Sequence, residues 1–116
     1  MKKIAILLYN VAIQSYHFSI WIASFFSPKA KKWIVGRKNW EQKLRQKINF
    51  STAPIWIHCA SLGEFEQGRP IIEKLKEQHK NIKIVLSFFS PSGYEVRKNY
   101  PMADVITYLP IDSSKI

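Results

Sequence analysis

Cysteine is nearly absent: Cys59 stands alone among 116 residues, so no intramolecular disulfide staples this chain. Acidic residues are also scarce, with eight Asp and Glu against eighteen Lys and Arg and a net charge of +10. Only four glycines occur, and no Gly-x-Gly-x-x-Gly pattern or phosphate-binding loop is present, so a nucleotide site does not follow from the sequence alone. His58, Cys59 and His79 lack metal-ligand spacing, and no metal site is expected. Repeats and low-complexity tracts are missing as well. An apolar share of 47% excludes a disordered chain, and the length fits one small domain with a modest core.

The excess charge is unevenly spread. Residues 1–27 carry +2, residues 28–50 carry +7, and residues 51–116 carry +1. A nucleic-acid protein spreads its bases over a folded face, whereas here they follow an apolar segment, which fits an anionic membrane surface. No nucleic-acid partner is expected. Between Ile4 and Pro28 there is no charged residue, and a helix of that length reaches about 37 Å against a hydrocarbon core of about 30 Å. No small-x-small cleavage site follows, which argues against a signal peptide. Two expectations stay open: a spanning helix with its C-terminal side in the cytoplasm, by the excess of bases after it, or a helix lying in the interface. Asn10, Gln14, His17 and Ser24 form a polar stripe along this helix, and Trp21, Trp33 and Trp40 suit an interfacial belt or ordinary packing. The expected divisions are 1–28, a membrane-anchoring or interfacial helix; 29–50, a basic collar, partly helical and broken at Gly36; and 51–116, a partial α/β domain.

That third division reads as β-α-β-α-β. Strands are expected over 55–60, 82–89 and 103–110, and helices over 64–79 and from Ser92 to Pro101. The run IWIHCA reads as a strand buried on both faces, as in parallel sheets. Pro70 either kinks the first helix or marks the first turn of its regular part. The pattern predicts a Rossmann-like parallel sheet with right-handed crossovers, whose ligands bind beyond the carboxyl ends of the strands. Without a helix after the third strand, the expectation is a piece of something larger.

Two of those ends carry Ser-x-x-Glu: Ser61-Leu62-Gly63-Glu64 and Ser92-Gly93-Tyr94-Glu95. This is the spacing of a capping box, in which serine caps the helix and glutamate reaches back to the cap amide. Capping accounts for Glu95. Glu64 follows the first strand, expected to be central, where a carboxylate can also take a proton from an attacking hydroxyl. Capping and catalysis both fit it.

The segments WIHCASLGEFEQGRPIIEKL and IVLSFFSPSGYEVRKNYPMADVITYLPID, in this order and behind an apolar helix and a basic collar, resemble the N-terminal domain of the 3-deoxy-D-manno-octulosonic acid (Kdo) transferases of lipopolysaccharide synthesis. The resemblance implies the N-terminal half of a two-domain GT-B glycosyltransferase at the cytoplasmic face of the inner membrane. Its donor would be CMP-Kdo, bound mainly by a C-terminal domain that is missing here, its acceptor the lipid A precursor, and no cofactor or metal would be needed. It implies Glu64 as the general base. Ser61, Gly63, Arg69, Ser90, Ser92 and Gly93 are the candidate acceptor-binding residues, Arg69 through an acceptor phosphate, and His58 is a candidate for orienting the loop. The alternative is a non-enzymatic, membrane-anchored α/β module that binds anionic lipid or a partner.

Overall fold

The computed structural model describes residues 1–48 and 53–110. The junction between the expected collar (29–50) and α/β domain (51–116), and Asp112 at the end of the second quoted segment, lie outside these residues. The described residues form two compact units, one holding Met1–Lys38 and the other Asn39–Leu109.

The first unit is a helical pair, α1 (Lys2–Ala23) and α2 (Pro28–Arg37). Pro28 does not end the first helix. It sits at the first position of α2, where its missing N–H costs nothing, and Ser27 caps that helix by accepting the Ala30 N–H at 3.4 Å. The apolar helix is therefore shorter than expected. Asn10, Gln14, Ser15, His17 and Ser19 dilute its apolar character, and among the described residues no helix is long and apolar enough to cross a membrane. The spanning expectation is corrected accordingly. Trp33 is buried and packs edge-on to Tyr16 at 6.2 Å and against His17 at 5.7 Å. The Arg37 guanidinium lies 3.9 Å from the Trp33 ring centroid. Packing thus claims Trp33 and His17, whereas Trp21, Phe18, Phe25 and Phe26 stay exposed.

The second unit begins at Asn39, whose φ of 56° places it in the left-handed region. The collar breaks there and not at Gly36, which α2 absorbs; asparagine tolerates this conformation because its short polar side chain bonds locally. Then follow α3 (Trp40–Lys47), β1 (Ile55–Cys59), α4 (Leu62–Gln78), β2 (Ile84–Phe88), α5 (Pro91–Arg97) and β3 (Val105–Tyr108). The three strands are parallel in the order β1-β2-β3, with Ile57 opposite Leu86 and Leu86 opposite Ile106. The expected β-α-β-α-β order and parallel pairing hold. Pro70 lies within a continuous α4.

The central strand is β2, buried at all five positions, and β1 is an edge in this sheet. The reading of β1 as buried on both faces is corrected: Trp56 is 64% and Ile55 37% exposed, because among the described residues nothing pairs with the outer side of β1. One face of the sheet, with Ile57, Cys59, Ile84, Leu86, Phe88 and Ile106, packs under α4 and α5. Phe65 and Ile72 of α4 are fully buried there, each worth about 1.5–3 kcal/mol relative to exposure. Phe65 meets Phe88 at 5.8 Å and Tyr100 at 5.0 Å. Period-2 alternation puts Trp56, His58, Val85, Ser87, Val105 and Thr107 on the other face.

Candidate active site at the carboxyl ends of the strands

Strand β1 ends at Cys59, and Ser61 caps α4 two residues later. Ser61 Oγ accepts the Glu64 N–H at 3.4 Å, and Glu64 Oε2 accepts the Ala60 N–H at 2.6 Å. This is a capping box shifted by one residue, since the carboxylate reaches the amide just before the cap. It settles where Glu64 points. One oxygen is anchored to the strand end, and among the described residues Oε1 has no hydrogen-bond partner. Glu64 and Gly63 are both exposed. A Cβ on Gly63 would meet only Ser61 Oγ, at 3.9 Å, so this glycine keeps space open beside the carboxylate.

The second loop docks directly on the first. The Ser90 N–H donates to the Ala60 carbonyl at 2.9 Å, and the Leu109 N–H donates to the Phe88 carbonyl at 2.8 Å. Ser90 caps α5 by accepting the Ser92 N–H at 3.2 Å, and the two hydroxyls lie 2.8 Å apart. Pro91 fills the first helical position, which fixes the start of α5 one residue earlier than the sequence suggested. Glu95 is therefore not the partner of Ser92 in a capping box, and it pairs with Lys98 at 3.3 Å instead. Gly93 is buried where α5 presses on β2 and α4. A Cβ there would lie 2.3 Å from Phe88 Cδ1 and 3.2 Å from the Leu62 nitrogen. Close packing requires this glycine, and the same packing joins the two loops.

Six of the seven candidate residues, Ser61, Gly63, Glu64, Ser90, Ser92 and Gly93, are thus gathered at one end of the sheet. Arg69 is placed elsewhere. Its Nε donates to Glu73 at 2.9 Å, Glu66 lies 3.9 Å away, and its guanidinium carbon is 5.8 Å from the Tyr100 ring centroid. The Tyr100 hydroxyl donates to the same Glu73 oxygen at 3.2 Å. The Arg69 hydrogen bond chiefly holds the Glu73 carboxyl below its usual range, while burial, followed by the Glu73 charge, pushes the Tyr100 hydroxyl up. Arg69 therefore tethers α4 to the segment after α5. Cys59 lies on the helix-covered face; burial, followed by the charge of Glu64, pushes its thiol above the ordinary range, so it remains a thiol.

The sequence singled out His58 but not its partners. Ser87 Oγ, on the neighbouring strand, lies 2.8 Å from both His58 Nδ1 and Trp56 Nε1. Strand register was the missing signal, since His58 sits opposite Ser87 only once β1 and β2 are aligned. Among the described residues no group of three His, Cys, Asp or Glu side chains converges as a metal site. Shallow surface hollows along Asn39–Gln46 and beside Pro70 and Ile71 lie away from Glu64. The cluster at the strand ends is an open shelf.

Comparison with known proteins adds to this geometry. The family described as 3-deoxy-D-manno-octulosonic-acid transferase (kdotransferase) matches residues 37–116, a stretch that takes in the whole of the second unit. A 3-deoxy-D-manno-octulosonic acid transferase of Aquifex aeolicus (strain VF5) is 38% identical over 60 residues, covering 51% of this chain and 16% of that protein. The protein of the same name from Haemophilus influenzae (strain ATCC 51907 / DSM 11121 / KW20 / Rd) is 32% identical over 59 residues, covering 50% and 14%. A bifunctional glycosyltransferase/methyltransferase of Fusobacterium nucleatum subsp. nucleatum is 35% identical over 65 residues, covering 53% and 10%. The matched stretch thus spans a sixth or less of each relative. No solved structure matches the chain.

Proposed function

Because this chain belongs to the Kdo-transferase family, we propose that it forms the acceptor side of a GT-B glycosyltransferase that moves Kdo from CMP-Kdo to a lipid A precursor. The observation that carries this reading is the anchored carboxylate of Glu64, on the open shelf at the carboxyl ends of the strands and within the family match. Glu64 acts as the general base. Its free oxygen takes the proton from a sugar hydroxyl of the acceptor as that oxygen attacks the anomeric carbon of Kdo. A new carbon–oxygen bond forms there, and the bond to the phosphate oxygen of CMP breaks on the opposite side. CMP leaves with the electron pair, and the anomeric configuration inverts. The Ala60 N–H holds the carboxylate in place through the step. Ser61, Gly63, Ser90, Ser92 and Gly93 shape the shelf against which the acceptor lies, and Arg69 stabilises the helix behind it. CMP-Kdo is bound by a further domain. No metal takes part.

The acceptor is a lipid, which gives α1 and α2 a purpose. α1 and the turn after it lie in the cytoplasmic face of the inner membrane through exposed Leu7, Leu8 and Phe18 of the helix and Phe25 and Phe26 of the turn, while Lys29, Lys31 and Lys32 of α2 meet anionic headgroups.

The test is Kdo transfer from CMP-Kdo to a lipid A precursor by the polypeptide extended through its natural downstream reading frame, with and without Glu64→Gln. The glutamine keeps an oxygen for the Ala60 N–H but cannot take the proton. Turnover is expected to fall by about 10²–10⁴-fold, with thermal unfolding nearly unchanged. Near-normal turnover in the variant would remove Glu64 as the base.

A further inference from the structure

Ser87 is a polar residue at the centre of the sheet and only 1% exposed. Among the described residues its hydroxyl has two partners, Trp56 Nε1 and His58 Nδ1, each at 2.8 Å. An indole N–H only donates, so Trp56 occupies one lone pair of Oγ. The hydroxyl proton of Ser87 then needs an acceptor, and His58 Nδ1 is the one within reach. If Nδ1 carried a proton instead, two donors would converge on Oγ and the serine proton would be buried without a partner, which folded proteins rarely tolerate. Between the two tautomers of the imidazole, the network therefore selects the one with its proton on Nε2.

The placement gives this selection a use. His58 is the last but one residue of β1, and its ring is exposed. Glu64, anchored through Ala60 just beyond the same strand, offers only acceptor oxygens. Arg69, the guanidinium nearest in sequence to Glu64, is engaged by Glu73 and Glu66. The shelf thus has a base, and a His58 ring N–H would add to the hydroxyl donors of Ser61, Ser90 and Ser92 for holding the acceptor's neighbouring oxygen. We propose that Trp56 and Ser87 are positioning residues that fix His58 as the Nε2–H tautomer, and that His58 donates this hydrogen bond to an oxygen of the sugar-phosphate acceptor beside the attacking hydroxyl. The ligand half of this inference rests on the transferase reading, and the tautomer half stands without it.

Two measurements separate the halves. The first is a long-range proton–nitrogen correlation spectrum of the 116-residue chain labelled with 15N-histidine, at about pH 8 where an ordinary imidazole is neutral. His17→Gln and His79→Gln assign the signals. The expected result is a single tautomer at His58, protonated at Nε2, that becomes a mixture in Ser87→Ala. Trp56→Phe, at an exposed position, probes the same chain of bonds if Ser87→Ala fails to fold. A tautomer mixture or an Nδ1–H ring in the unaltered chain overturns the network, as does an unchanged spectrum in the variants. The second measurement is transfer by the extended polypeptide. His58→Phe is expected to raise KM for the acceptor roughly tenfold with little change in kcat, and His58→Gln, which keeps a donor, to restore most of it. Unchanged KM in His58→Phe overturns the donor role. If the unaltered extended protein transfers no Kdo while the spectrum shows one tautomer, the transferase reading falls with its acceptor, and the positioning network remains.

Discussion

Two glycines at the shelf look alike in the sequence and differ in the fold. Gly93 has no room for a methyl group, because a Cβ would sit 2.3 Å from the Phe88 ring and 3.2 Å from the backbone of Leu62. Gly63 has open space, at the second position of α4. Gly93→Ala is expected to destabilise the chain by about 1–3 kcal/mol in chemical denaturation, and Gly63→Ala to stay within about 0.5 kcal/mol. A transfer defect in Gly63→Ala would then report a ligand close to the loop, and one in Gly93→Ala would report packing. The capping role of Glu64 was legible from Ser-x-x-Glu because it needs only local geometry. Glu95 carried the same letters and did not cap, because Ser90 and Pro91 set the helix start first. The role of Ser87 was illegible, since it depends on which residue of a distant strand lies opposite.

At the scale of elements, α4, β2 and β3 are clamped together at the amino end of β2 by one carboxylate. Asp104 Oδ2 accepts from Lys76 Nζ at 2.7 Å and from the Ile84 N–H at 2.8 Å, and Lys83 lies 3.8 Å from Oδ1. Burial pushes this carboxyl up, but the hydrogen bonds and the two lysine charges together outweigh it and hold it below its ordinary range. A carboxyl lowered in the folded state contributes stability above its unfolded pKa, and that contribution is lost as pH falls through the folded value. The clamp should therefore hold above about pH 4 and loosen below it. Asp104→Asn is expected to cost about 1–3 kcal/mol at neutral pH and to flatten the acid limb of a stability-versus-pH curve measured by urea unfolding. The alternating strand and helix patterns made this layer readable from sequence. Edge status did not show, because the run IWIHC has the apolar composition of a central strand. Nor did the collar break: Gly36 is the conspicuous breaker, yet a helix tolerates one glycine, and Asn39 adopted the left-handed turn.

For the whole molecule, the uneven charge and the exposed aromatic face of α1 lead to one expectation about surfaces. Flotation with vesicles rich in phosphatidylglycerol should recover the chain at low salt. Recovery should fall as salt rises, since each base near an anionic surface is worth about 1 kcal/mol and is screened within a Debye length. Phe25→Ser with Phe26→Ser should weaken binding even at low salt. Equal recovery on uncharged phosphatidylcholine at every salt concentration would remove the basic residues from the account. Charge and apolar runs are linear features, so this expectation can be drawn from the sequence alone. It gave no sign that α1 stops at Ala23, since the turn depends on Ser27 and Pro28 starting a new helix.

The outer rim of β1 has a consequence for the life of this polypeptide in a crowded solution. Natural sheets blunt such rims with lysine, proline or a bulge, and Ile55–Cys59 carries none of these. Its backbone groups spaced for a neighbour, together with an exposed Ile55 and Trp56, make it adhesive toward any extended segment it meets, including its own counterpart in another molecule. Solubility then becomes a race between finding the proper neighbour and being captured by a wrong one, and crowding shortens that race.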